Sequence, residues 1–234
     1  MVTVFSSLRF CLGNKYWAIP NRINLAYLLE CFCNTYIQFK NFIDKQEIYI
    51  PLTASKDTSY HDPKWSSNGD EILSLGDYSG TNEIFHTNRT TLKTKGTGIK
   101  NIVATNWKSL DEIYIVKKKD PKKLFFTSIK NKTDSLLLTA PENILGISKQ
   151  KSVLYLACDG GVLEYKIETN KMDWFKMNVN GRTAWKLNRL NFIVKNRDGE
   201  AQIIDLNNGV SEALFIGDGD GDPALSSNND FVAF

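Results

Sequence analysis

Short runs of β-forming residues, bounded by turn-forming ones, recur along most of the chain. The best-marked unit reads Asp62-Pro63-Lys64-Trp65-Ser66-Ser67-Asn68-Gly69-Asp70-Glu71-Ile72-Leu73-Ser74-Leu75. It returns as Asp222-Pro223-Ala224-Leu225-Ser226-Ser227-Asn228-Asn229-Asp230-Phe231-Val232-Ala233-Phe234. In both copies Asp-Pro opens an extended piece, because proline fixes its own φ and pushes the preceding residue toward the β region. A large apolar residue and Ser-Ser follow. An Asn-Gly or Asn-Asn pair then suits the φ > 0 of a tight hairpin turn, and an apolar strand closes the unit. Hairpin-then-strand signatures begin at Asp70, Asp111, Ser152, Leu190 and Asp230, in steps of 41, 41, 38 and 40 residues. A period of about 40 residues built from short strands marks a β-propeller, each repeat being one four-stranded blade. Helical repeats of that period need amphipathic runs of about 10–15 residues, and none occurs after Pro51.

The expected architecture is therefore all-β over residues 46–234. Four full blades are placed at about 63–103, 104–143, 144–183 and 184–222, with a partial blade at each end. Gln46–Leu52 reads as the third strand of the first partial blade, and Phe234 ends the second strand of the last. Two arrangements stay open. The partial blades complete one blade between them and close a five-bladed ring, or the chain is an open arc. The arc is preferred, because residues 1–45 leave a blade's worth of chain unassigned.

Residues 1–45 read as a separate N-terminal segment. Within it INLAYLLECFCNTYIQF, residues 23–39, is apolar and is expected to be a short helix. It caps or packs on the propeller, associates with a membrane, or reflects a non-native or truncated start. Interrupted by Glu30, Asn34 and Gln38, it falls short of the roughly 20 apolar residues of a bilayer span. No clear secretory signal precedes it.

Composition narrows the function. With 29 basic and 26 acidic residues the net charge is +3, without the basic excess of a nucleic-acid surface. Four cysteines in 234 residues do not make a disulfide scaffold. No Gly-x-Ser-x-Gly elbow is present, and the chain has only two histidines, His61 and His86. His61 adjoins Asp62, but neighbours in an extended strand point to opposite faces, which disfavours a catalytic dyad. His86 is expected at the surface. No enzyme activity is expected. Asp218, Asp220 and Asp222 alternate with glycines and suit a hard cation such as Ca²⁺, yet no Glu follows to complete a helical-loop calcium motif. A solvated loop is the competing reading. The basic run Lys117–Lys123 tops a hairpin, as a solvated tip or as a contact for an anionic partner.

The pattern carried by Pro63, Trp65, Ser66, Asn68-Gly69 and Ile72, and less fully by Pro223, Ser226 and Phe231, resembles the propeller repeat of the TolB family. That repeat is shared with the propellers of prolyl-oligopeptidase-type peptidases and with the sensor domains of CadC-like membrane-bound regulators. The middle repeats depart from it, keeping Trp107 and Trp185 without the Pro or the Asn-Gly turn. The resemblance implies a non-catalytic module that binds a protein or another ligand, in the periplasm or at a membrane; with no clear export signal, the cytoplasm stays open. Alternatives are the periplasmic sensor part of a regulator, or the propeller of a serine peptidase without its catalytic domain. It also implies that His61, Asp62, Lys64, Trp65 and Ser66 lie near the channel mouth, with Asp222 and Ser226 equivalent. Against this, Trp65 reads as inter-blade core, and Asp62 and Asp222 as turn residues.

Overall fold

The computed structural model describes residues 15–18, 24–31, 34–41, 47–51, 58–78, 80–91, 93–177, 181–195, 201–209, 211–213, 224–225 and 232–233. These form five four-stranded sheets and one two-stranded sheet, each an antiparallel meander of consecutive strands. The first sheet holds β1 (Lys15–Ala18), β2 (Asn24–Cys31), β3 (Asn34–Asn41) and β4 (Glu47–Pro51). The second holds β5 (Thr58–Trp65), β6 (Glu71–Tyr78), β7 (Thr81–Asn88) and β8 (Lys93–Lys100). The third holds β9 (Ile102–Trp107), β10 (Glu112–Lys117), β11 (Lys123–Ser128) and β12 (Asp134–Thr139). The fourth holds β13 (Ile144–Gln150), β14 (Val153–Cys158), β15 (Gly161–Lys166) and β16 (Lys171–Lys176). The fifth holds β17 (Ala184–Lys186), β18 (Asn191–Lys195), β19 (Ala201–Asp205) and β20 (Ser211–Ala213), and the sixth β21 (Ala224–Leu225) and β22 (Val232–Ala233).

The four middle sheets follow the blade boundaries read from the repeat. Two expectations need correcting. Residues 23–39 are not helical where described: β2 and β3 pair as an antiparallel hairpin. Nor is Glu47–Pro51 a third strand. It is the fourth strand of a sheet that starts at Lys15, so strands on both sides of residue 46 share one sheet. The termini do not complete a common blade among the described residues, since β4 and β22 belong to different sheets. Instead β21 and β22 lie against β1, so the first and last sheets meet. Among the described residues no helix is long and apolar enough to cross a membrane.

The core lies between sheets. Side chains alternate along a strand, so a middle strand serves two interfaces at once. From β10, Ile113 and Ile115 pack with Leu73, Leu75 and Ile84 of the second sheet. Tyr114 and Val116 face the other way, onto Leu154 and Leu156 of the fourth. From β14, Tyr155 and Ala157 meet Phe192 and Val194 of the fifth. This two-sided burial explains why second strands read as continuous apolar runs. The outermost strands β8, β12 and β16 carry exposed polar residues on their free edges.

The first strands of neighbouring sheets stand side by side, β5 against β9, β9 against β13, and β13 against β17, as the innermost strands around a central channel. Hydrogen bonds tie them at the repeat spacing. The Trp107 indole N–H donates to the Lys64 carbonyl at 2.9 Å, and Lys149 Nζ to the Lys108 carbonyl at 3.0 Å. The Asn106 amide reaches the Ile147 carbonyl at 2.9 Å, and Gln150 exchanges two bonds with the Lys186 backbone.

Candidate functional site

The Asp-Pro of the best-marked repeat produces a break in β5. His61 pairs with Leu75 but Lys64 with Leu73, so β5 carries one residue more than β6 over this interval, a β-bulge. Asp62 absorbs it with φ 51°. A left-handed backbone directly before proline is doubly unfavourable, and such outliers cost about 1–3 kcal/mol. Aspartate tolerates that region better than most residues.

The bulge swings the Asp62 carboxylate onto Lys64, Oδ1 to Nζ at 2.6 Å, with side chains only 4% and 8% exposed. Removal from water weakens screening and strengthens the attraction, while both charges lose solvation. Asp62 Oδ2 is buried and has no hydrogen-bond partner among the described residues. A buried acceptor left unmatched costs about 1–3 kcal/mol, so this oxygen is out of balance unless a donor is brought to it.

His61 lies beside the pair, with Nε2 3.8 Å from an Asp77 carboxylate oxygen. Its Nδ1 meets the Arg182 guanidinium at 2.6 Å. A guanidinium only donates, so this contact requires Nδ1 to accept and the ring proton to sit on Nε2, toward Asp77. Arg182 itself is exposed. Trp65 pairs with Ile72 and Lys186 with Phe192, so Trp65 and Lys186 are equivalent positions. His61 and Arg182 each stand four places before them along the chain, though the bulge brings His61 one register step nearer to Trp65; they belong to the second and fifth of six sheets. The contact thus joins the second sheet to the fifth.

His61, Asp62 and Lys64 are thus brought together. Trp65 is buried, as a core role requires. Ser66 is fully buried and its hydroxyl is taken up by the turn, donating to Asn68 Oδ1 at 2.7 Å and accepting from the Glu71 N–H at 3.0 Å. Gly69, at φ 74°, lets that turn close as the Asn-Gly pair requires. Asp218, Asp220, Asp222 and Ser226 lie outside the described residues. Among the described residues no three His, Cys, Asp or Glu side chains gather closely enough to hold a metal ion. His86, expected at the surface, is half-buried, edge-on to Trp107 at 5.8 Å and 3.2 Å from Glu71. Arg182 was not anticipated. No Asp-Pro or Trp-Ser marks its own repeat, so residue type carried no signal for it.

Chemically the cluster offers one unmatched acceptor, an imidazole and an exposed guanidinium. The Ser66 hydroxyl is engaged by its own turn, whereas Ser74 Oγ, opposite the bulge on β6, is buried with no hydrogen-bond partner among the described residues. The arrangement suits recognition of a group that carries both donors and acceptors.

No family model matches the chain, and no curated protein sequence matches it. Solved structures match the fold. TolB from Acinetobacter baumannii superposes with a TM-score of 0.62 at 12% identity, over 90% of this chain and 58% of that protein. The chain thus spans less than two thirds of that TolB. A structure from a nidogen/laminin complex gives 0.61 at 8% identity, over 87% of this chain and 80% of that one. Oligogalacturonate lyase in complex with manganese gives 0.60 at 8% identity, over 95% and 73%. At such identities the likeness shows the fold alone, a β-propeller fold of the kind TolB has.

Proposed function

We propose that this chain is a non-catalytic β-propeller module that binds a protein partner at the channel mouth, through His61, Asp62, Lys64 and Arg182. The observation that carries this reading is Asp62: a strained backbone holds a buried carboxylate whose Oδ2 lacks a donor among the described residues. Strain of this kind gathers at functional positions, where surrounding structure sustains it. Arg182, the exposed member of the cluster, would receive a carboxylate or carbonyl of the partner, with the buried Asp62–Lys64 pair behind it. Propellers with this fold include one solved in a protein–protein complex, which supports a binding role without identifying a partner. The periplasmic setting implied by the sequence resemblance, and calcium on the Asp218–Asp222 loop, belong to the same reading as separate expectations.

The test uses the full chain as bait, with each captured protein then titrated in purified form. Arg182→Ala, at an exposed position, should weaken binding about tenfold, the loss of one charge-assisted contact. Asp62→Asn alone leaves Lys64 buried without its counter-charge, which should cost about 3–5 kcal/mol of stability. Asp62→Asn with Lys64→Met removes both charges, should recover most of that stability, and should still bind more weakly. Partners that bind both variants as tightly as the unaltered chain would defeat the proposal.

A further inference from the structure

A second cluster lies where the second and third sheets join. Lys100, Asn101, Lys117, Lys118 and Lys119 line an open groove of about 510 Å³. The fold forces these residues together. Lys100 ends β8 and Asn101 turns the chain at φ 60°. The Asn101 N–H donates to the Asn82 carbonyl at 2.8 Å, and the Lys118 N–H to the Asn101 carbonyl at 2.8 Å. The crossing between sheets and the β10–β11 turn are thereby stitched side by side, each carrying lysines.

The charges of this groove are unevenly matched. Lys117 is paired with Asp134 and lies over the Phe125 ring. Lys122 and Lys123, further along the turn, are matched by Glu142 and Asp120. Lys100 approaches Glu83 only to 3.8 Å, and 58% of its side chain is exposed. Lys118 and Lys119 are exposed and pair with no carboxylate among the described residues. The surplus of positive charge therefore sits inside the groove, not along a stripe.

We propose that this groove binds a small polyanion carrying two or more phosphate groups, held by Lys100, Lys118 and Lys119. A multiply charged anion can engage several of these ammonium groups at once, and its attraction grows with the number of charges it carries. Ammonium groups bind phosphate as point charges, without the planar fork of arginine, so the site selects by charge number more than by shape. A duplex or a membrane surface needs cations spread over a longer track, and here Asp134, Asp120 and Glu142 interrupt it.

Calorimetric titration of the full chain with inorganic triphosphate, at about 50 and about 200 mM salt, tests the proposal. One saturable site is expected, weaker at the higher salt. Lys118→Gln with Lys119→Gln should weaken it about tenfold or more, since two counter-charges are lost. Lys130→Gln, an exposed lysine on the β11–β12 turn, should leave it unchanged. Absence of saturable binding, equal loss in the Lys130 variant, or orthophosphate binding as tightly as triphosphate would each overturn the proposal. So would phosphatidylserine vesicles or a short DNA duplex binding through Lys118 and Lys119 more tightly than triphosphate does. None of these lysines belongs to the His61, Asp62, Lys64 and Arg182 cluster, so failure here leaves that reading untouched.

Discussion

Trp107 shows how one residue joins two sheets. Its buried indole packs with Leu73 and Leu75 of the second sheet and donates to the Lys64 carbonyl. Trp107→Phe keeps most of the apolar contact but strands that carbonyl without a donor, so it should cost about 1–3 kcal/mol. Trp107→Ala should cost about 3–5 kcal/mol. Urea midpoints would measure both, and a phenylalanine variant as stable as the parent would show that the bond contributes nothing. The same position explains why the repeat fades from the sequence. By register, Trp65, Trp107, Lys149 and Lys186 are equivalent, yet only the first two are aromatic. Lys149 donates to the Lys108 carbonyl, and Lys186 pairs with Glu164; each reaches into the preceding sheet, as Trp107 does. The position demands a long side chain with a donor at its end. Indole and ammonium both meet that demand, and a reading that follows residue type alone sees the repeat lapse.

At the scale of the element, Gly146 in β13 sets how closely the connection into the fifth sheet can pass. A Cβ built there would lie 1.5 Å from the Arg182 carbonyl oxygen, an approach only glycine permits. Gly146→Ala must push that backbone outward and should cost about 1–3 kcal/mol or more, as overpacking does. It should also part Arg182 from His61. Arg182→Ala, which removes only an exposed side chain, should stay within about 0.5 kcal/mol of the parent. Equal effects of the two variants on the urea midpoint would show that the backbone approach is not what matters. Elements of the middle sheets were legible because turn residues such as Asn68-Gly69 punctuate their strands. The β2–β3 hairpin was not. Its run is almost unbroken in apolar residues, and hydrophobic content alone does not separate a buried strand from a helix. Phe32-Cys33, between the two strands, carries no turn signal.

For the whole molecule, the packed interfaces hold protons tightly at high pH. Burial pushes the Cys158 thiol from 9.0 to about 12 and the Tyr114 phenol from 10.0 to about 12, and raises Tyr155 as well. The unfolded chain ionises first, so the stability these groups contribute is whole below about pH 9 and is lost as pH rises toward 12. Lys149, lowered chiefly by burial, acts in the opposite sense. Thermal midpoints should therefore hold steady from neutrality to about pH 9 and fall beyond it, most steeply above about pH 10. A midpoint unchanged at about pH 11 would contradict this. The ring also has a consequence for chain entropy. Bonds that join neighbouring sheets span 36 to 43 positions, whereas the bridge between His61 and Arg182 spans 121. Loop-closure entropy grows only with the logarithm of length, so the longer span costs about 1 kcal/mol more than the shorter ones. Threading additional sheets between two walls in contact thus adds little to the entropy of bringing those walls together. What each sheet adds is the far larger cost of ordering its own residues, which its packing against both neighbours must offset.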